Sequence, residues 1–319
     1  MTNIVNRMNL ALKIRSNYKN NIAIPLNVTI SPSDRCNLNC EMCITRYHDR
    51  KHLVRELDIV DYKKLMESLF KMGTRTIRIT GGGEPLMYPE IRELLGLVKQ
   101  YGFIGEMVTN GTFLDKEMIL YLHLINWDKV DLSLDGYNTE THDAIRGKGV
   151  FDKIITNLKH YLELPEPKFK ICMNTLKTKF NEKEFHKFNE IKEKFGITEH
   201  SVSIPTAFDK RSEAILPNGV DKNHKKDLKH CYAPWLETFI EINGDVKLCC
   251  VHTEIMGNLK SESFEEIWNG KKYIDVREMF RKKQFFLECY QVCSIPKINY
   301  FNKIYPIYEG NPLKILVNK

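Results

Sequence analysis

From residue 22 to about residue 205 the chain alternates between short apolar runs and longer stretches whose apolar residues recur every three or four positions. The first kind reads as strands and the second as amphipathic helices. The strand-like runs are Ile22 to Ile30, Thr76 to Thr80, Gly105 to Thr109, Val130 to Leu134, Phe169 to Leu176 and Glu199 to Ile204. Helical spacing covers Asp58 to Met72, Tyr88 to Tyr101, Lys116 to Ile125, a stretch to about Leu162 broken near Arg146-Gly147, and Glu182 to Phe195. Asp58 is the expected N-cap of the first of these. Each strand closes on Gly, Asn, Asp or Pro. Strands and helices in strict alternation predict a parallel sheet with crossover helices. The fold expected is α/β, a partial (β/α)6 TIM-like barrel, with an open doubly wound sheet as the alternative. In either fold the chemistry belongs at the carboxyl ends of the strands.

The pattern changes after residue 206. Ala207 to His230 is polar and Lys-rich and reads as a linker with a helical part. LETFIEINGDVKLCC follows, two strand-like runs about Asn243-Gly244, a strong hairpin signal. SFEEIWNGKKYIDVREMFRKK then has helical spacing with a glycine break. The organisation expected is an N-terminal extension over 1–21, a barrel over 22–206, a linker over 207–230, a small hairpin-plus-helix domain over 231–294 and a tail over 295–319.

Composition narrows the class without naming a chemistry. The 319 residues are 42% hydrophobic and 28% charged, as in ordinary soluble globular proteins. No apolar run approaches the ~18 residues of a membrane span. The N-terminal stretch has cations but no apolar core followed by a small-residue cleavage site, so a cytoplasmic location is expected. The net charge of +7 is spread out, and the basic runs carry few aromatics. Nucleic-acid binding is therefore not expected; a solvated basic face that helps an anionic substrate is.

The nine cysteines change the picture. An odd number in a chain with no secretory signal argues for metal binding over a disulfide framework. Cys36, Cys40 and Cys43 fall in the loop CNLNCEMC, directly after the first strand. Three thiolates this close can hold one face of a cubic [4Fe–4S] cluster, which ordinarily takes four. The open iron is then free for a non-protein ligand. A structural zinc site with His48 as fourth ligand is the alternative. At later strand ends stand Thr80 to Pro85 (TGGGEP), Val108 to Gly111 (VTNG), Leu132 to Gly136 (LSLDG) and Arg146 in HDAIRGKG. Ser133 and Asp135 are two apart on a strand and so point to one side.

These motifs together resemble the radical S-adenosylmethionine (SAM) enzymes over roughly residues 22 to 205. The resemblance implies that the open iron chelates the amino and carboxylate groups of SAM, which is cleaved to a 5′-deoxyadenosyl radical that abstracts a substrate hydrogen. It implies that Gly82, Gly83 and Glu84 bind the SAM amino group. It implies that Thr109 and Asn110 line the adenosine, that Ser133 and Asp135 reach ribose hydroxyls, and that Arg146 reaches the SAM carboxylate. Asn174 is a weaker cofactor contact, and Cys172 is expected in the core. One departure is Met42, where the family often has an aromatic residue before the third cysteine.

Cys231, Cys249, Cys289 and Cys293 form a second set around the predicted hairpin and helix. Four thiolates complete a cluster. With Trp235, Gly244-Asp245-Val246 and Trp268, the segment resembles the SPASM or "twitch" extension of radical SAM enzymes, which holds an auxiliary [4Fe–4S] cluster. Cys250 is an alternative to Cys249 as ligand, and a four-thiolate zinc site is the alternative to the cluster. The expected function is radical oxidation or modification of a substrate, with the second cluster as electron acceptor and a flavodoxin or ferredoxin as external one-electron donor. About 21 residues precede the first strand, which favours small-molecule dehydrogenation over modification of a peptide. The other readings are radical methyl or adenosyl transfer with a structural second cluster, and a non-catalytic iron–sulfur or zinc redox sensor.

Overall fold

The computed structural model describes residues 23–43, 56–205, 213–218 and 231–291. The first strand, β1 (Asn27–Ile30), is followed by α1 (Ile59–Met72), β2 (Thr76–Ile79), α2 (Ile91–Gln100), β3 (Ile104–Thr109), α3 (Lys116–Leu124) and β4 (Lys129–Ser133). Then come α4 (Thr139–Arg146), α5 (Val150–Leu162), β5 (Lys170–Leu176), α6 (Phe188–Phe195) and β6 (His200–Ser203). Every pair from β1–β2 to β5–β6 is parallel, in the order of the chain. That is the expected β/α half, with strands at the expected places; β1 and β6 are shorter than their apolar runs, and β3 begins one residue earlier, at Ile104. Asp58 caps α1 as anticipated, accepting from the N–H groups of Val60 and Asp61.

Alternation along the strands sorts the two faces of the sheet. Val28, Ile30, Ile77, Ile79, Met107, Val130, Leu132, Ile171 and Met173 are buried in one core with the helices. The other, inner face carries Arg78, Glu106, Asp131, Ser133, Cys172 and Asn174, by the strand registers. Arg78 bridges the strands there, bonding Glu106 at 2.7 Å and Asp131 at 2.6 Å. A charged floor on an uncovered face is no part of a hydrophobic core. It fits a barrel whose interior holds ligands.

The C-terminal half departs from the expected separate hairpin. α7 (Ala233–Leu236) leads into β7 (Glu237–Ile240), β8 (Asp245–Lys247) and β9 (Ile255–Asn258). β7 pairs parallel with β1, so all nine strands form one sheet in the order β6-β5-β4-β3-β2-β1-β7-β8-β9. The turn is longer than a two-residue loop: Glu241 N–H bonds Asp245 O at 2.9 Å, which leaves Ile242, Asn243 and Gly244 between them. Gly244 N–H bonds Glu241 O at 3.0 Å, and Gly244 takes the left-handed region at φ +87° that glycine favours. β9 was not foreseen, because its sequence, Ile-Met-Gly-Asn, has little β character. α8 (Phe264–Asn269), α9 (Lys271–Arg281) and α10 (Leu287–Gln291) follow, with the glycine break at Gly270. Among the described residues no helix is long and apolar enough to cross a membrane.

Candidate functional site

The first site hangs from the carboxyl end of β1. Ser31 N–H bonds Ile240 O of β7 at 2.8 Å, and the chain then runs through Pro32–Arg35 to the cysteines. The glycine run after β2 lies against this lead-in. Gly83 N–H bonds Ser33 O at 3.1 Å, Glu84 N–H bonds Arg35 O at 2.7 Å, and Gly82 N–H bonds Ser31 Oγ at 3.2 Å. A Cβ at Gly83 would stand 2.3 Å from Arg35 O. The glycine there is required by the approach of the protein's own backbone, a different cause from the ligand approach expected at this motif. Glu56 closes the base of the cysteine loop, accepting from Ser33 Oγ at 2.6 Å and pairing with Arg35.

Glu84 is fully buried and clamps two strand ends together. Its carboxylate accepts from Thr109 Oγ1 at 2.6 Å, Asn110 N–H at 2.8 Å and Leu86 N–H at 3.2 Å. Burial raises its pKa, and these three donors pull the other way. Asn110 in turn reaches the cysteine loop, its Nδ2 bonding Asn37 Oδ1 at 3.0 Å while Asn37 Nδ2 bonds Thr112 Oγ1 at 2.9 Å. Asn37 and Thr112 were not among the residues singled out in the sequence. An amide set between ligand cysteines was the available signal.

On the far side of the loop, Cys40 Sγ approaches Arg146 O at 3.8 Å and Glu41 N–H bonds Ile145 O at 3.0 Å. Arg146 Nε bonds Asp135 Oδ2 at 2.5 Å. Asp135 is wholly buried; its second oxygen accepts Leu176 N–H at 2.7 Å. Both carboxylate oxygens are thus engaged by the protein. Asp135 N–H also donates to His142 Nδ1 at 3.2 Å, and burial pushes His142 down to about 3, so its ring is neutral. Ser133 faces the inner side in register with Asn174 and, beyond it, Ser201. Neither Ser133 nor Asn174 has a side-chain hydrogen-bond partner among the described residues, so this row is free to bind.

The three thiols are half-buried. Burial pushes Cys40 up to about 11; Arg146 opposes this, while the charges of Cys43 and Cys36 add to it. The sulfurs therefore lie within electrostatic reach of one another. Yet among the described residues no three His, Cys, Asp or Glu side chains close on a point that would hold a single metal ion. Zinc, at a Zn–S distance of about 2.3 Å, would draw its sulfurs to within about 4 Å of each other. Three clustered thiols with no fourth suit one face of a cubic cluster with an open iron. His48 lies outside the described residues.

At the second site Cys231 precedes α7, Cys249 follows β8 and Cys289 sits in α10, all half-buried, whereas Cys250 is exposed. Cys293 lies outside the described residues. The loop after Cys249 packs on the segment that carries Cys289. His252 and Phe286 rings stand 4.1 Å apart, and Thr253 Oγ1 bonds Glu288 at 3.0 Å. Tyr273, buried beside β7 and β8, bonds Thr238 Oγ1 at 2.8 Å. Burial raises its pKa, and the charge of Cys249 adds to the effect, so Cys249 lies near it. Arg277 is buried against the same ring and has an Nη2 with no partner.

Comparison with known proteins gives two family matches. The radical SAM superfamily model matches residues 30–190, and the SPASM iron–sulfur cluster-binding domain matches residues 231–294. The antilisterial bacteriocin subtilosin biosynthesis protein AlbA of Bacillus subtilis is 26% identical over 81% of this chain and 62% of its own length. A GTP 3′,8-cyclase of Chlorobaculum tepidum is 33% identical over 54% of this chain and 51% of its own. The chain thus spans about half to three fifths of these relatives' length. The crystal structure of Streptococcus suis SuiB bound to S-adenosylmethionine superposes with a TM-score of 0.68 over 85% of this chain and 72% of that one, at 18% identity. SuiB bound to its precursor peptide SuiA superposes with a TM-score of 0.65 over 84% and 71%, also at 18% identity.

Proposed function

The chain belongs to the radical SAM superfamily and carries a SPASM domain, and from that premise we propose that it modifies a peptide by radical hydrogen abstraction with net oxidation of the substrate. When bound, the [4Fe–4S] cluster and SAM supply a 5′-deoxyadenosyl radical, and an auxiliary cluster supplies an acceptor for one electron.

The chain's own residues divide the remaining work. Cys36, Cys40 and Cys43 hold the first cluster with one iron left open; Cys231, Cys249, Cys289 and Cys293 hold the second. Arg146, fixed by Asp135, presents its guanidinium to the SAM carboxylate, a charge-assisted contact. Asp135 acts by positioning Arg146, since its oxygens are already engaged. Gly82 and the Glu84–Thr109–Asn110 clamp set the wall for the SAM amino group. The unpartnered Ser133 and Asn174 side chains take ribose hydroxyls.

The observation that carries this reading is the juxtaposition of three half-buried thiols, a fixed arginine and an unpartnered polar row at the ends of parallel strands. A peptide is favoured by the roles printed for AlbA and for SuiB with SuiA, and by the edge of the sheet. β6 has no strand beyond it among the described residues, and Ser201, Val202 and Ser203 are exposed, which leaves the inner face open along one side. Dehydrogenation of a small polar molecule is the second reading, favoured by the Arg78–Glu106–Asp131 floor. A flavodoxin or ferredoxin is the proposed donor.

The test is anaerobic reconstitution, reduction with dithionite, and measurement of 5′-deoxyadenosine formed from SAM. Absence of 5′-deoxyadenosine from iron-replete protein overturns the enzymatic reading and leaves a redox sensor. With a peptide encoded beside it, a product lighter by two hydrogens supports oxidation. A product heavier by a methyl or adenosyl group would replace oxidation with group transfer.

A further inference from the structure

β6 ends the sheet, with β5 its one neighbour among the described residues. Glu199 O accepts Met173 N–H at 2.9 Å and Ser203 O accepts Lys177 N–H at 2.7 Å. The backbone groups of successive residues point to opposite sides of a strand. Glu199, Ser201 and Ser203 therefore face β5, while His200 and Val202 turn their N–H and C=O groups to the open side. Natural edges are blunted by charges, proline, bulges or a covering element. The opposite edge of this sheet follows that rule. The β8–β9 register shifts between Val246 and Lys247, and a Cβ at Gly257 of β9 would stand 2.6 Å from Ile267 of α8. β6 has none of these devices among the described residues. Its sequence, His-Ser-Val-Ser, holds no proline and no acidic, Lys or Arg side chain, and its register with β5 is unbroken. Ser201, Val202 and Ser203 are exposed, Val202 by 46%.

The flanks of this edge select what can join it. On the outer side His200 Nε2 lies 2.8 Å from Thr175 Oγ1, and its ring stacks with Phe185, centres 6.3 Å apart. Lys177 Nζ lies 5.9 Å from the centre of the same Phe185 ring, and Lys179 Nζ lies 5.2 Å from that of the exposed Phe180. Burial lowers the His200 pKa and the charge of Lys192 adds to the effect, so Lys192 stands near this ring as well. None of these three lysines pairs with a carboxylate among the described residues, whereas Lys129 and Lys170 both pair with Glu199 at the other end of the strand. On the inner side Ser201 stands in the row of Asn174 and Ser133. A strand added here puts its inward side chains in line with that row, about 5 Å beyond Ser201. We propose that an extended acidic peptide docks as an extra strand on the open edge of β6. Its backbone bonds His200 and Val202, its outward carboxylates meet Lys177, Lys179 and Lys192, and its inward residues are offered to the Ser133–Asn174 row. The proposal rests on the reading of a peptide as substrate. Main-chain bonds give such docking its affinity, and alternate side chains give it selectivity.

The test uses the reconstituted full chain and a fluorescein-labelled octapeptide, Thr-Glu-Thr-Val-Thr-Glu-Thr-Glu, with a counterpart in which lysine replaces each glutamate. Binding is followed anaerobically by anisotropy, and its place by amide hydrogen exchange. The acidic peptide should bind in preference to the basic one and slow exchange over β6. Val202→Pro removes an N–H that faces away from β5, so the existing ladder stays whole. It should weaken binding about tenfold, while the melting temperature and the 5′-deoxyadenosine formed from SAM alone stay at the parent values. Lys177→Glu with Lys179→Glu should reverse the preference between the peptides. If Val202→Pro does not fold, the exchange pattern and this charge reversal decide. No binding of either peptide, equal binding of both, protection outside β6 or unchanged affinity in Val202→Pro overturns the proposal. So does slow exchange at His200 before any peptide is added, since the chain itself or a second copy then covers the edge. None of these outcomes touches the peptide reading, which is judged separately on the loss of two hydrogens from a modified peptide.

Discussion

The two cysteine sites offer the same ligand atom in opposite settings. The first is a loop held by hydrogen bonds at both flanks, through Asn37, Glu56 and the Arg146 and Ile145 carbonyls, and it looks onto an inner face with unpartnered polar groups. The second has the His252 and Phe286 rings packed 4.1 Å apart beside the segment that carries Cys289, with the buried Tyr273 near Cys249. A site that must admit a charged ligand needs polar walls and an open side. One that only passes electrons is better dry, because a low dielectric strengthens the field of the few charges left in it. Ligand chemistry alone does not separate these two roles; the solvation of the walls does.

The largest expected effect divides the sites outright. Replacing Cys36, Cys40 and Cys43 with alanine should remove about four irons and abolish SAM cleavage. Replacing Cys231, Cys249 and Cys289 should also remove about four irons but leave 5′-deoxyadenosine formation intact while oxidised product is lost. Equal loss of SAM cleavage in both variants would break the comparison, since the second site would then serve the first.

A narrower cut uses Gly83. An alanine Cβ there meets Arg35 O at 2.3 Å, so the lead-in to the cysteines must move. Overpacking of this kind costs about 1–3 kcal/mol. Gly83→Ala should therefore lose first-site iron while second-site iron stays. Retention of both would mean that the glycine run tolerates what its geometry forbids.

These two predictions also mark how far the sequence could be read. The six parallel strands were legible because Val, Ile and Met alternate on one face under helices with clear apolar spacing, and the cysteine loop was legible because its spacing is chemically demanding. Asp135 has protein partners that its spacing from Ser133 did not announce, since its two oxygens accept from Arg146 Nε and Leu176 N–H. Glu84 likewise reads as a ligand-binding carboxylate and is found bonded to three protein donors. Pairing of β7 with β1 was invisible, because register between distant segments leaves no local pattern. Arg277 gave no signal, since an arginine in a helical stretch ordinarily reads as a solvated face.

A third prediction probes the first site through pH. His142 in the folded chain takes a proton only near pH 3, whereas in the unfolded chain it does so near 6.5. Below 6.5 the unfolded state therefore binds the extra proton, and stability falls as pH drops from 6.5 toward 3. His142→Asn keeps an acceptor for Asp135 N–H but cannot ionise. Urea unfolding at pH 7 and pH 5 should show a smaller loss in the variant. An identical loss in both would assign the acid limb to other groups.

The smallest effect is also the most local. Asn37 is exposed, yet it ties the span between Cys36 and Cys40 to Asn110 and Thr112. A hydrogen bond to a partly solvated amide contributes about 1 kcal/mol, because water replaces much of it. Asn37→Ala should leave iron content and second-site potential unchanged and raise KM for SAM a few-fold, with kcat little altered. Thr112→Val removes the acceptor on the other side of the same bond. If the loop is held through this pair, the double variant should be no worse than the more impaired single one. Additive losses would mean that the two residues act separately, and the polar clamp of the first site would then end at Glu84 and Asn110 rather than reach the cysteine loop itself.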